Sequence, residues 1–200
     1  MLSRRSALAP PFFSSPFAIA VSIVLAIGLA ACGGDGDDSV PSEDPAPTFS
    51  AMPSYDPSGA LVRPEHPEEW VFVGSALNLN YDGTPTGVDI LSNVLMEPSA
   101  YRHYQETGEF REGTMTALFV YLAGTDTPPA RDGLFTDLLV GFEMSMKNSH
   151  RFPKENWAYY RFGRPDAPTA EALPPETCHS CHEENAATDH VFTQFYPALR

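Results

Sequence analysis

Polar and apolar residues alternate through the middle of the chain. Thr114, Thr116, Leu118 and Val120 fall on one face of an extended segment, and Met115, Ala117, Phe119 and Tyr121 on the other. That period of two predicts a strand over 114–122. The same pattern predicts strands over 89–96, over 134–146 with a bend at Gly141, and over the aromatic run 157–162. Trp70-Val71-Phe72-Val73 is too short for its periodicity to choose between helix and strand. Pro67-Glu68-Glu69 suits the first turn of a helix, with acids at the positive end of the dipole. Pro98 opens a helix over 99–107 that Gly108 closes, with Tyr101 and Tyr104 or Gln105 on one face. Loops are expected at 80–87, 125–132 and 164–168, one helical turn at 168–173, and helix again over 183–189. Phe192, Phe195 and Tyr196 close the chain with apolar bulk. Four or five strands with short helices at both ends predict an α+β fold, an antiparallel sheet with helices packed on one side. The Thr/Val/Phe/Tyr-rich middle is poor material for a four-helix bundle.

The pattern changes before residue 66. Arg4 and Arg5 precede an apolar run over 17–30, the length of a secretory signal core and short for a membrane span. The run ends in Leu29-Ala30-Ala31-Cys32, which resembles the bacterial lipobox. Residues 1–31 are therefore expected to be a lipoprotein signal, with Cys32 lipidated and anchoring the chain to a membrane. Gly33 after the cysteine leans toward the outer membrane, facing the periplasm. Residues 32–65, carrying Asp35, Asp37, Asp38, Glu43 and Asp44 among many prolines, read as an extended acidic tether. The folded domain is expected over 66–200.

The formal net charge of −14 adds one exclusion: such a surface does not neutralise phosphates, so nucleic acid is not a partner. It also lacks a polybasic membrane patch, which leaves the lipid as the membrane contact. Of three cysteines, one is accounted for by the leader. The other two lie in Cys178-His179-Ser180-Cys181-His182. In an exported chain this C-x-x-C-H run means one covalent haem c. Two thiols a helical turn apart add to the vinyl groups of one porphyrin, and the next imidazole, His182, becomes the proximal iron ligand. A thioredoxin-type redox pair would need a βαβ setting, and a zinc site would need a second ligand pair; neither is present. His179 is read as a surface spacer. Met96, Met115, Met144, Met146, His103, His150 and His190 are the candidates for a sixth ligand. None lies in an obvious ligand loop, and an open or weakly held sixth position is the expectation.

Several segments resemble the cytochrome P-460 family, which includes the cytochromes c′-beta. They are Trp70-Val71-Phe72-Val73-Gly74-Ser75, Glu97-Pro98-Ser99-Ala100-Tyr101, Thr107 through Thr114, Gly141-Phe142-Glu143, Lys147 through Phe152, and Cys178 through Leu199. The resemblance implies a mainly antiparallel sheet, one proximal histidine, usually a dimer, and a distal pocket open to nitrogen oxides. Hydroxylamine-oxidising members carry a lysine bonded to the porphyrin; the matching position here is Leu118. Their distal arginine is matched by Ser92. Their pocket carboxylate is matched by Glu143, either a distal acid or base or a solvated carboxylate on the sheet. Three functions follow as expectations: a haem protein binding, scavenging or relaying nitric oxide; an oxidoreductase acting on hydroxylamine or nitric oxide with Glu143 as base; and a plain electron carrier for an unidentified redox partner. The loss of the lysine and arginine favours the first.

Overall fold

The computed structural model describes residues 52–81, 83–85, 87–129 and 132–200. The leader, Cys32 and the tether as far as residue 51 lie outside the described residues. The elements are β1 (Leu61–Val62), β2 (Val71–Leu77), β3 (Ile90–Met96), α1 (Pro98–Thr107), β4 (Met115–Gly124), β5 (Phe135–Lys147), β6 (Trp157–Phe162), β7 (Thr169–Ala170) and α2 (His179–Asn185). Single 3₁₀ turns cover Pro67–Glu69, Thr193–Phe195 and Pro197–Leu199.

β2 through β6 form one antiparallel sheet in sequence order, a meander of five strands. The expected α+β class and strand number hold. The ambiguous run at 70–73 resolves as the start of β2, which continues to Leu77. The bend expected at Gly141 is a bulge: Val120 pairs with Gly141 and Tyr121 with Leu139, so Val140 has no partner of its own.

Alternation along the strands gives the sheet two cores. On one face Leu95, Met115, Ala117, Phe119, Phe142, Met144, Met146, Tyr160 and Phe162 pack with Leu61 and Trp70. On the other, Val94, Met96, Trp157 and Tyr159 pack with Ala100 and Phe110 of the α1 region and with Val191 and Leu199 from the C-terminal segment. The two faces are covered by different parts of the chain. The first is covered from the N-terminal side, by residues expected to be tether. Leu61 is fully buried, β1 pairs with β7, and the Tyr55 hydroxyl reaches Met146 Sδ at 3.6 Å. The fold therefore takes in residues well ahead of 66. The helical turn expected at 168–173 is instead β7, because β1 offers it an edge and Ala172 bridges to Tyr160.

The second face is closed by α1 and the chain's end. Glu97 caps α1 from a fully buried position. Its carboxylate accepts from the Ser99 and Ala100 backbone N–H groups and from the Ser99 hydroxyl, so the buried charge is satisfied. Gly74 in β2 lets the C-terminal segment lie directly on the sheet. A Cβ there would stand 3.0 Å from Tyr196 Cδ1 and 3.3 Å from the Phe195 carbonyl. Between this segment and the sheet a cavity remains.

Candidate functional site

The cavity holds about 370 Å³ and is bordered by Cys178, Cys181 and His182 on its helical side. Cys178 is the N-cap of α2, and Cys181 and His182 lie within it. Residues three apart on a helix share a face, so both thiols border the same space. Both are unpaired thiols. Burial, with the Glu143 charge next in size, pushes the Cys178 thiol above its ordinary value.

α2 starts and ends earlier than the helix expected over 183–189. It stops at Asn185 because Gln194 clamps the chain there. The Gln194 amide donates to the Asn185 carbonyl at 2.8 Å and accepts from the Ala187 N–H at 3.0 Å. Asn185 in turn donates to the Cys181 carbonyl at 3.0 Å. The motif is thus carried on a short helix tied to the segment that follows it.

His182 is held on three sides. Its ring lies 4.4 Å from that of Tyr159 and 4.5 Å from that of Phe192, centroid to centroid. Its Nδ1 stands 2.7 Å from the His190 carbonyl oxygen. A carbonyl can only accept, so Nδ1 carries the proton and Nε2 keeps its lone pair. Burial, the largest effect, lowers the pKa of this imidazole below its ordinary value, aided by the neighbouring His190 and His179. A neutral ring with Nε2 free is the form that ligates a metal.

One transverse row of the sheet crosses this side: Gly74 pairs with Val94, Val94 with Leu118, Leu118 with Glu143, and Glu143 with Arg161. The last four of these border the cavity, together with Ser75, Ala76, Thr116, Ser145 and Tyr159 of the same strands. Ser92 lies two residues from Val94 on the same face and also borders the cavity. The structure therefore brings together Ser92, Leu118, Glu143, Cys178, Cys181 and His182 around one space.

Arg161 was not singled out by the sequence, yet it borders the same cavity. Its Nε donates to Glu143 Oε1 at 2.6 Å, and this hydrogen bond is the main cause that raises the guanidinium pKa. Glu143 is thus an ion-paired wall residue, neither free in solvent nor isolated in the pocket. The period of two over 157–162 puts Tyr159 and Arg161 on one face. Only the register with β5 sets the cation beside the carboxylate.

Among the candidate sixth ligands, Met144 alone borders the cavity, and its side chain packs in the opposite core with Phe142 and Tyr160. Met96, Met115 and Met146 are fully buried in the cores, and His103, His150 and His190 do not border the cavity. His179, expected at the surface, is buried at 8 % exposure, and its Nε2 donates to the Glu155 carbonyl at 3.0 Å. That bond fixes α2 against the loop before β6.

A comparison with curated proteins gave no match. The family description Cytochrome P460 matches residues 64–193, which takes in all five strands of the sheet, both helices and the whole Cys178–His182 run. On that match, the chain is a member of the cytochrome P460 family.

Proposed function

We propose that this chain is an exported, lipid-anchored monohaem c protein that binds nitric oxide at an open haem face. The cytochrome P460 family typically binds a c-type haem. The residues fit that group: two unpaired thiols one helical turn apart and an imidazole with its Nε2 lone pair free all border one cavity. Cys178 and Cys181 would hold the porphyrin as thioethers and His182 would take the iron. Bound there, the haem would supply an iron able to take a small diatomic ligand.

The chain's own residues shape what that ligand meets. Val94 and Leu118 present an apolar surface, which an uncharged molecule enters without desolvating a charge. Glu143 and Arg161 neutralise one another at the edge of that surface. Ser92 carries a neutral hydroxyl and supplies no distal cation. The observation that carries the reading is Leu118 at the centre of the transverse row. Cys32 would hold the domain at a membrane through its lipid, on the periplasmic side of the outer membrane.

A second reading, hydroxylamine oxidation with Glu143 as base, draws support from the place of Glu143 on the cavity wall. Its Arg161 partner counts against a free base, since one carboxylate oxygen is already engaged. Titrating ferrous holoprotein with nitric oxide, together with an assay of hydroxylamine turnover, separates the two. The expected result is a stoichiometric shift of the Soret band with no turnover of hydroxylamine. An unchanged Soret band would overturn the proposal.

A further inference from the structure

The carbonyl that accepts from His182 sits in an unusual piece of backbone. Asp189 and His190 both have positive φ, 40° and 62°. They are the two central residues of a tight turn in which Thr188 and Val191 exchange backbone hydrogen bonds of 3.3 and 2.8 Å. Two successive positive φ values are what a type I′ turn requires, and such turns favour Asn and Gly. Aspartate followed by histidine is strained there.

Side chains over-determine the turn. Asp189 Oδ2 accepts from Lys147 Nζ at 2.7 Å, and Oδ1 accepts from Trp157 Nε1 at 3.1 Å. Lys147 also donates to the Phe110 carbonyl at 2.8 Å, and Trp157 is almost wholly buried. Both partners belong to the sheet, at the paired ends of β5 and β6. The carboxylate thus bolts the turn to the rigid part of the fold. On the other side of the turn, the His190 carbonyl accepts from His182 Nδ1 at 2.7 Å and from the Tyr159 hydroxyl at 3.4 Å.

We propose that Asp189 is a positioning residue for the proximal ligand. Gripped by Lys147 and Trp157, it holds the Asp189–His190 turn so that the His190 carbonyl takes the Nδ1 proton of His182. The inference rests on His182 being the iron ligand. A strong acceptor on Nδ1 makes the imidazole more electron-rich at Nε2 and orients its ring. That strengthens the bond to iron and favours the ferric state. The consequence is a reduction potential set in part by an ion pair on the sheet and not by the cavity.

Resonance Raman spectra of ferrous holoprotein and a redox titration test this. Wild type should show an iron–histidine stretching band. In Asp189→Ala that band moves to lower frequency and the midpoint potential rises, because the carbonyl no longer faces Nδ1. Asp189→Asn keeps one acceptor, for Trp157, and loses the charge and the oxygen that face Lys147. It should shift both readouts the same way by less, and it decides the matter if the alanine variant does not fold. A lowered melting temperature with an unmoved band and potential would mean a merely structural role and would overturn the proposal. Absence of an iron–histidine band in wild type would instead remove His182 as the ligand.

Discussion

Replacing Cys178 and Cys181 together by alanine should abolish covalent haem. The double variant, exported normally, is expected to give no haem-stained band on a denaturing gel, and acid–acetone should extract any haem it carries. Each single variant should keep one thioether, with a pyridine haemochrome spectrum between those of b- and c-type haem. The reason is geometric. Both thiols border one cavity from one short helix, and no third cysteine lies among the described residues. Loss of the group also leaves a cavity of about 370 Å³ against the core that holds Val94, Tyr159 and Val191. An unfilled space of that size forfeits the dispersion contacts of its lining, so the double variant should melt earlier than wild type. Haem that stays covalently bound after both substitutions would contradict the assignment.

Leu118→Lys is the second large effect. Leu118 stands between Val94 and Glu143 in the transverse row, half-buried on the cavity face. A lysine there must either desolvate an ammonium or draw Glu143 away from Arg161, which now holds it at 2.6 Å. Burying such a group with incomplete pairing costs about 2 kcal/mol, or roughly 5 °C in melting temperature for a domain of this size. The ammonium would also keep water in the cavity. Nitric oxide cannot reproduce the hydrogen bonds of a water held by that ammonium, so its affinity should fall, by about tenfold for a loss of about 1.4 kcal/mol. Leu118→Met conserves volume and polarity and should change stability by less than about 1.5 kcal/mol. Thermal denaturation and nitric oxide titration of the three proteins check this. A lysine variant that melts and binds like wild type would mean that Leu118 does not face a dry pocket.

Two parts of this protein could be read directly from its residues. The C-x-x-C-H run names its own chemistry because the spacing is a covalent requirement of the porphyrin. The two faces of β4 were legible because both are buried, so alternation of Thr116 and Leu118 with Met115, Ala117 and Phe119 records a real partition between cores. What could not be read depends on pairing between distant segments. The turn expected at 168–173 became a strand only because residues 61–62, taken for tether, offer an edge to it. Pro-rich, polar sequence up to residue 60 hides a docked segment whose anchors include Tyr55, with Arg151 stacked 4.1 Å over its ring, the Gly59 carbonyl bonded to Arg151, and buried Ala60 beside Leu61.

The site shows the same division. Ser92, Leu118 and Glu143 stand out only by family resemblance, and the cavity brings them together. Arg161 was invisible because a lone arginine on a short aromatic strand is ordinarily a solvated residue. Only the β5–β6 register, Glu143 opposite Arg161, makes it a pocket residue. The acceptor for His182 was hidden for a different reason. It is a backbone carbonyl, so the side chain of His190 says nothing about it, and the turn that presents it lacks the Asn-Gly signature. His179 was misplaced because adjacency to Cys178 says nothing about the loop that covers it.

The claim beneath these expectations is that a single haem c sits in this cavity with His182 as its one strong protein ligand. Absorption spectra of ferric and ferrous holoprotein test it most directly. Expected is a five-coordinate, high-spin ferrous spectrum of c-type haem, without the red-shifted band of a lysine–porphyrin bond. A six-coordinate, low-spin spectrum in both oxidation states would contradict it, because a second strong side-chain ligand would then occupy the face assigned to nitric oxide.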